Sequence, residues 1–155
     1  MKEIFDDYIN KNVTKYRLNP NIKSWYIANK WLMIFFLLFP LIMDLLFGTF
    51  MINSIVKSII ILIIGSIWVY LKYLFVKRVL VLHEKPLKPW KYNLYNAVIW
   101  GLFVAVLAIP SSGSDYAGGN FLINWLTIFI IGALFSLLFT SLEMDRFRLY
   151  LNKHK

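Results

Sequence analysis

The sequence predicts an all-α integral membrane protein: a four-helix bundle that crosses the bilayer four times with both termini cytoplasmic, preceded by a cytoplasmic amphipathic helix. Three observations predict it. The 155 residues are 59% hydrophobic and 18% aromatic, too apolar for a soluble domain of this size, which needs a polar shell around its core. The apolar residues fall in four long blocks instead of the broken stripes of soluble helices. Nearly all cationic side chains fall on one side of those blocks, as the positive-inside rule requires.

Residues 1–30 form the cytoplasmic lead-in. Ile4, Phe5, Tyr8, Ile9, Val13 and Tyr16 recur with helical spacing, and Asp7 with Lys11 makes an i, i+4 pair on the polar side. Asn19-Pro20-Asn21 should end this helix. A basic amphipathic helix of this kind is expected to lie on the anionic lipids of the inner leaflet. Docking on a partner or on the protein's own cytoplasmic loop is the other reading. The first apolar run begins only at residue 31 and no small-residue cleavage site follows it, so no cleavable signal peptide is expected.

The transmembrane part, 31–142, divides into spans at 31–50, 55–76, 94–109 and 121–142, the third being the shortest. A tight turn at 51–54, a basic segment at 77–93 and a Gly/Ser-rich loop at 110–120 connect them. With the N-terminus cytoplasmic, all of the 17 lysines and arginines except Lys57 belong to the cytoplasmic side. That asymmetry also accounts for the net charge of +9 without a nucleic-acid partner, since no base-stacking or groove-reading motif accompanies it. Trp25, Tyr26 and Trp31, and then Tyr70, Tyr73, Trp90, Tyr92 and Tyr95, sit where interfacial aromatic belts are expected. In the charged tail, 143–155, Glu143 with Arg146 and Asp145 with Arg148 have the i, i+3 spacing of a solvated helix end.

Helices in lipid gain little from burying apolar surface against each other, so close packing needs small residues that let backbones approach. The second span offers Ser54, Ser58, Leu62 and Ser66 with Gly65 beside them, and the third Ala97, Gly101 and Ala105. The fourth offers Asn124, Ile128, Gly132, Ser136 and Thr140. These rows should face inward. Pro40 removes a backbone donor inside the first span and should kink it.

Apart from Lys72, counted with the basic middle segment, Asp44 and Lys57 are the charges the sequence places within the spans. Counting back from Phe50, Asp44 should lie roughly 9 Å below the end of its helix, and the short connection brings Lys57 to a similar depth. They form either a hairpin-locking ion pair or, beside the Pro40 kink, a proton or cation site.

Catalytic machinery is not apparent. Cysteine is absent, which excludes disulfides and thiolate chemistry. No span holds a histidine to activate a serine, and Asp44 lacks a second membrane carboxylate. His83 beside Glu84 invites a metal reading, yet the other histidine, His154, is in the tail, so no metal and no cofactor is expected. Lys77, Arg78, Pro86, Pro89 and Trp90 make the middle loop basic and stiff, suited to docking. In the external loop, Asp115 and Tyr116 are the side chains available to a ligand, though a connector is the plainer reading. The expectation is a small non-enzymatic multi-pass protein of the cell (cytoplasmic) membrane, touching the bilayer and its anionic inner-leaflet lipids. It would act through contacts with a membrane protein partner or by self-association, in an accessory, regulatory or immunity-type protective role. The alternative is a small homo-oligomeric transporter or ion- or proton-conducting channel that uses Asp44.

Overall fold

The computed structural model describes residues 2–49, 52–80, 88–109 and 121–153. Among these, 92% are helical, in α1 (Lys2–Leu18), α2 (Ile22–Ala28), α3 (Lys30–Leu46), α4 (Ile52–Leu80), α5 (Pro89–Leu107) and α6 (Phe121–Lys153). Among the described residues, α4 and α6 are each long and apolar enough to cross a membrane; α2 and α3 reach that standard together, as a pair bent by 56°.

Several boundaries differ from those read off the sequence, each for a local reason. The first span does not run to Phe50, because α3 stops at Leu46. Gly48 adopts φ of 67°, Thr49 N–H bonds to the Asp44 carbonyl at 2.8 Å and Gly48 N–H to that of Leu45 at 3.1 Å. That pattern is a Schellman cap, which needs a left-handed residue and therefore favours glycine. The third helix is shifted rather than confined to 94–109: α5 begins at Pro89, whose missing N–H is harmless in the first turn, and ends at Leu107. Its Lys91, Asn93 and Asn96 fall in the first half, so the uninterrupted apolar stretch is short. In α3 the helix continues through Pro40, and a sharp bend separates it from α2 at Asn29. There the Asn29 side chain donates to the Trp25 carbonyl at 2.8 Å and accepts from Lys15 Nζ at 2.9 Å, pinning the elbow between α2 and α3.

Packing follows chain order. α3 lies on α4, α4 on α5, and α5 on α6 over the most extensive contact. The flanking helices α3 and α6 do not form a packed interface among the described residues, so the four make an open row. α4 is its centre: 44% of its most apolar stretch is buried, against 11% for α6, which turns most of its surface outward.

The row is braced by α1, which packs across α4 and α6. Its apolar face, Ile9, Val13 and Tyr16, is buried against protein, a correction to the expectation of a helix lying on lipid. The cause is that α4 and α6 both outrun their expected spans, and Val76, Val79, Met144 and Phe147 need covering. α2 is clipped to α4 by side-chain bonds from Trp25 Nε1 to the Val69 carbonyl at 3.1 Å and from Tyr26 Oη to that of Ser66 at 2.8 Å. Tyr73 Oη likewise reaches the Pro20 carbonyl at 2.9 Å. Trp25, Tyr73 and Tyr92 thus belong to the core and not to an aromatic belt, while Trp31, Tyr70, Trp90 and Tyr95 are exposed.

Small residues set the interhelical approaches. A Cβ on Gly65 would overlap the Phe36 ring, one on Gly101 would meet the Phe129 carbonyl at 2.9 Å, and one on Gly132 would meet Val104 at 3.1 Å. Ser54, Ser58, Ala97, Ala105, Ser136 and Thr140 are buried. Asn124 is exposed and falls off the row assigned to it.

Candidate functional site

α4 carries two buried lysines, one toward each end. At the hairpin end, Lys57 Nζ donates to both carboxylate oxygens of Asp44, at 3.1 and 3.2 Å, and both residues are buried. The Schellman cap puts Asp44 only two residues from the end of α3, and its own carbonyl takes part in the cap. The carboxylate is therefore shallower in its helix than a count from Phe50 implies. Ser58 Oγ, next along α4, is occupied by the Ser54 carbonyl at 2.9 Å.

Toward the other end, Lys72 is ion-paired with Glu143 of α6, and both are buried. Aromatic faces surround the ammonium: the ring centroids of Tyr8, Phe147 and Phe75 lie 5.0, 5.6 and 5.8 Å from Nζ. Phe75 in turn stacks on Tyr92 at 4.2 Å and meets Phe147 edge-on at 4.9 Å. Cation–π attraction and the adjacent carboxylate offset part of the cost of burying the ammonium here. This corrects two sequence expectations. Lys72 is not a loop-side cation, and Glu143 is not the solvated i, i+3 partner of Arg146; the exposed pair in that segment is Asp145 with Arg148 at 3.5 Å. The signal was present. Continuing the row Gly132, Ser136, Thr140 by one turn reaches Glu143 and by a second Phe147, and the buried α4 positions Gly65, Val69, Val76 and Val79 flank Lys72 on one face.

A third polar contact joins α5 to α6. Asn96 Nδ2 donates to Thr140 Oγ1 at 2.7 Å, and Thr140 Oγ1 donates to the Ser136 carbonyl at 2.8 Å. Asn96 carries no pattern that distinguishes it from an exposed asparagine, and the sequence reading passed over it.

Between the two ion pairs lies apolar material. Lys57 and Lys72 are about 22 Å apart along α4 by helical rise, and the buried α4 residues separating them, past Ser58, are Ile61, Ile64, Gly65 and Val69. Phe36 seats on Gly65 and contacts Phe103 at 5.7 Å and Trp68 at 6.3 Å, and Trp68 meets Trp100 at 5.8 Å, each edge-on.

The remaining candidate residues are dispersed. Lys77 and Arg78 close the last turn of α4, half-buried; Pro89 opens α5; Trp90 beside it is exposed. Pro86, His83, Glu84, the external loop with Asp115 and Tyr116, and His154 lie outside the described residues. Pro40 is buried within α3. Among the described residues no three His, Cys, Asp or Glu side chains gather as a metal site.

The fold and these contacts define a class: an all-helical protein with two helices long and apolar enough to cross a membrane, and ionic contacts buried between its helices. No protein-family model, no curated protein and no solved structure matches the chain.

Proposed function

We propose that the chain crosses the cell membrane four times with both termini cytoplasmic and acts, without catalysis, by contact with another membrane protein, in an accessory, regulatory or immunity-type protective role. The apolar plug around Phe36 and Gly65 carries this reading. The buried charges are neutralised in pairs and held about 22 Å apart, and the space between them on α4 is filled by aliphatic and aromatic side chains. Such an interior suits a scaffold better than a conduction path, which needs continuous polar lining. α6 supplies the outward surface, with Ile131, Leu134, Phe135 and Leu138 exposed along it. The positive-inside asymmetry supports the orientation.

A transporter or channel built by oligomerisation remains the rival, favoured by the buried carboxylate of Asp44. Two measurements separate them. A photo-crosslinking residue in place of Leu134 should give one discrete heterologous adduct in native membranes, while the same residue in place of Ile63, exposed on α4, should give none. Liposomes holding the purified chain should pass no ions. Ion flux abolished by Asp44→Asn, with no adduct from α6, overturns the proposal in favour of transport.

A further inference from the structure

Beside the elbow at Asn29, α1 and the end of α2 border a shallow, open groove of about 670 Å³. Its polar wall is one face of α1, with Asn10, Lys11, Thr14 and Lys15; Leu18 and Ala28 form its apolar rim. From this geometry we infer that the groove binds the headgroup of an anionic phospholipid, its phosphate between Lys11 and Lys15 and its acyl chains along α3. The inference rests on the cytoplasmic placement of the N-terminus proposed above.

Lys15 is pre-positioned. One of its ammonium hydrogens goes to Asn29 Oδ1 at 2.9 Å, which leaves two donors for a ligand. Lys11 stands one turn earlier on the same wall. Burial, and then the like charge of Lys11, hold the Lys15 ammonium below the ordinary lysine value. An anion placed between the two cations relieves that repulsion. Asp7 also lines the groove and leaves it a net charge of about one, which suits a monoanionic phosphodiester better than a dianionic phosphate.

The rim argues for lipid rather than a free anion. Leu18 on the rim is large and exposed, as are Ile27 and Trp31, which flank the rim residue Ala28 in sequence, and Ile34, Phe35 and Leu38 are exposed further along α3. Lys30 lies 5.6 Å from the Trp31 ring centroid, adding a cation beside these apolar side chains. A soluble phosphate has no use for these side chains, whereas a phospholipid uses both parts.

The test is native mass spectrometry of the full chain in detergent micelles doped with phosphatidylglycerol or phosphatidylcholine. Retention of phosphatidylglycerol should exceed that of phosphatidylcholine, and Lys11→Gln with Lys15→Gln should weaken it about tenfold or more. Lys23→Gln, on α2 outside the groove, should leave it unchanged. Tryptophan fluorescence checks that each variant stays folded. Equal retention of both lipids, no loss in the folded double variant, or an equal loss in the Lys23→Gln control overturns the proposal. Displacement of the lipid by millimolar inorganic phosphate would reassign the groove to a free anion. Impermeant maleimide on a Thr14→Cys variant in intact cells reads topology separately, since the chain has no native cysteine; labelling from outside refutes the orientation whatever the lipid result.

Discussion

The two ion pairs on α4 use the same chemical groups and do different structural work. Asp44 and Lys57 are thirteen residues apart, joined through a turn, so the pair closes a hairpin that chain connectivity already brings together. Lys72 and Glu143 join helices far apart in sequence, and α1 supplies part of the box around them through Tyr8. An ionic contact between neighbours spares little loop entropy, whereas one between distant helices specifies which helices meet. The surroundings differ in the same sense. The hairpin pair sits at a helix cap, from which Lys57 can extend toward the interface. The α1-end pair is enclosed by rings and has no such exit.

Breaking the α1-end pair should therefore cost the most. Lys72→Met alone leaves Glu143 as an uncompensated buried charge, and Glu143→Leu alone does the same to Lys72; each should destabilise by about 3–5 kcal/mol. The double variant should recover most of that loss, since an apolar pair of similar volume has no desolvation cost. The measurement is reversible unfolding in mixed micelles followed by tryptophan fluorescence. If either single variant unfolds with the wild-type midpoint, the pair is not what joins α4 to α6 and the contrast between the two ends fails.

Asp44→Asn should cost less, about 1–2 kcal/mol, below the ~2.5–3.5 kcal/mol of a bare charge at the centre of a membrane helix. Lys57, left without its carboxylate, can snorkel. Asp44→Asn sharpens the comparison when read beside Lys72→Met in the same micelles. A larger loss from Asp44→Asn than from Lys72→Met would reverse the ranking and make the hairpin pair the keystone.

How far these features were legible varies with the range of the physics involved. The apolar blocks behind α4 and α6 depend on composition over a helix length, and hydropathy reads them directly. The proximity of Asp44 and Lys57 was legible too, because a connection of a few residues leaves two helices little freedom. The end of α3 depends on one residue: Gly48 following an apolar run is a left-handed cap signal, and reading the run through it misjudged the depth of Asp44. Lys72 and Glu143 were misread for a different reason. A charge near the end of an apolar stretch looks solvated when only its own helix is considered, and its burial here comes from α1, whose docking surface exists only once α4 and α6 have extended past their expected ends. The cover itself is written in neither helix alone; its one local trace is that Glu143 and Lys72 continue the inward-facing rows of α6 and α4.

The smallest effect tests whether the row is held by hydrogen bonds or by close approach. Asn96 is hydrogen-bonded to Thr140 across the α5–α6 interface, where Gly101 and Gly132 bring the backbones together. Interhelical hydrogen bonds in membrane proteins contribute about 0.6 kcal/mol on average and rarely above about 1.7. Asn96→Ala should therefore lower stability by roughly 0.6 kcal/mol, well below the loss at Lys72, because Thr140 keeps its bond to the Ser136 carbonyl and is not orphaned. Gly132→Ala supplies the scale for steric approach, its new Cβ meeting Val104 at 3.1 Å. A loss at Asn96 that matches the loss at Lys72 would mean that polar contacts of every kind, and not ionic ones in particular, hold distant helices in register here.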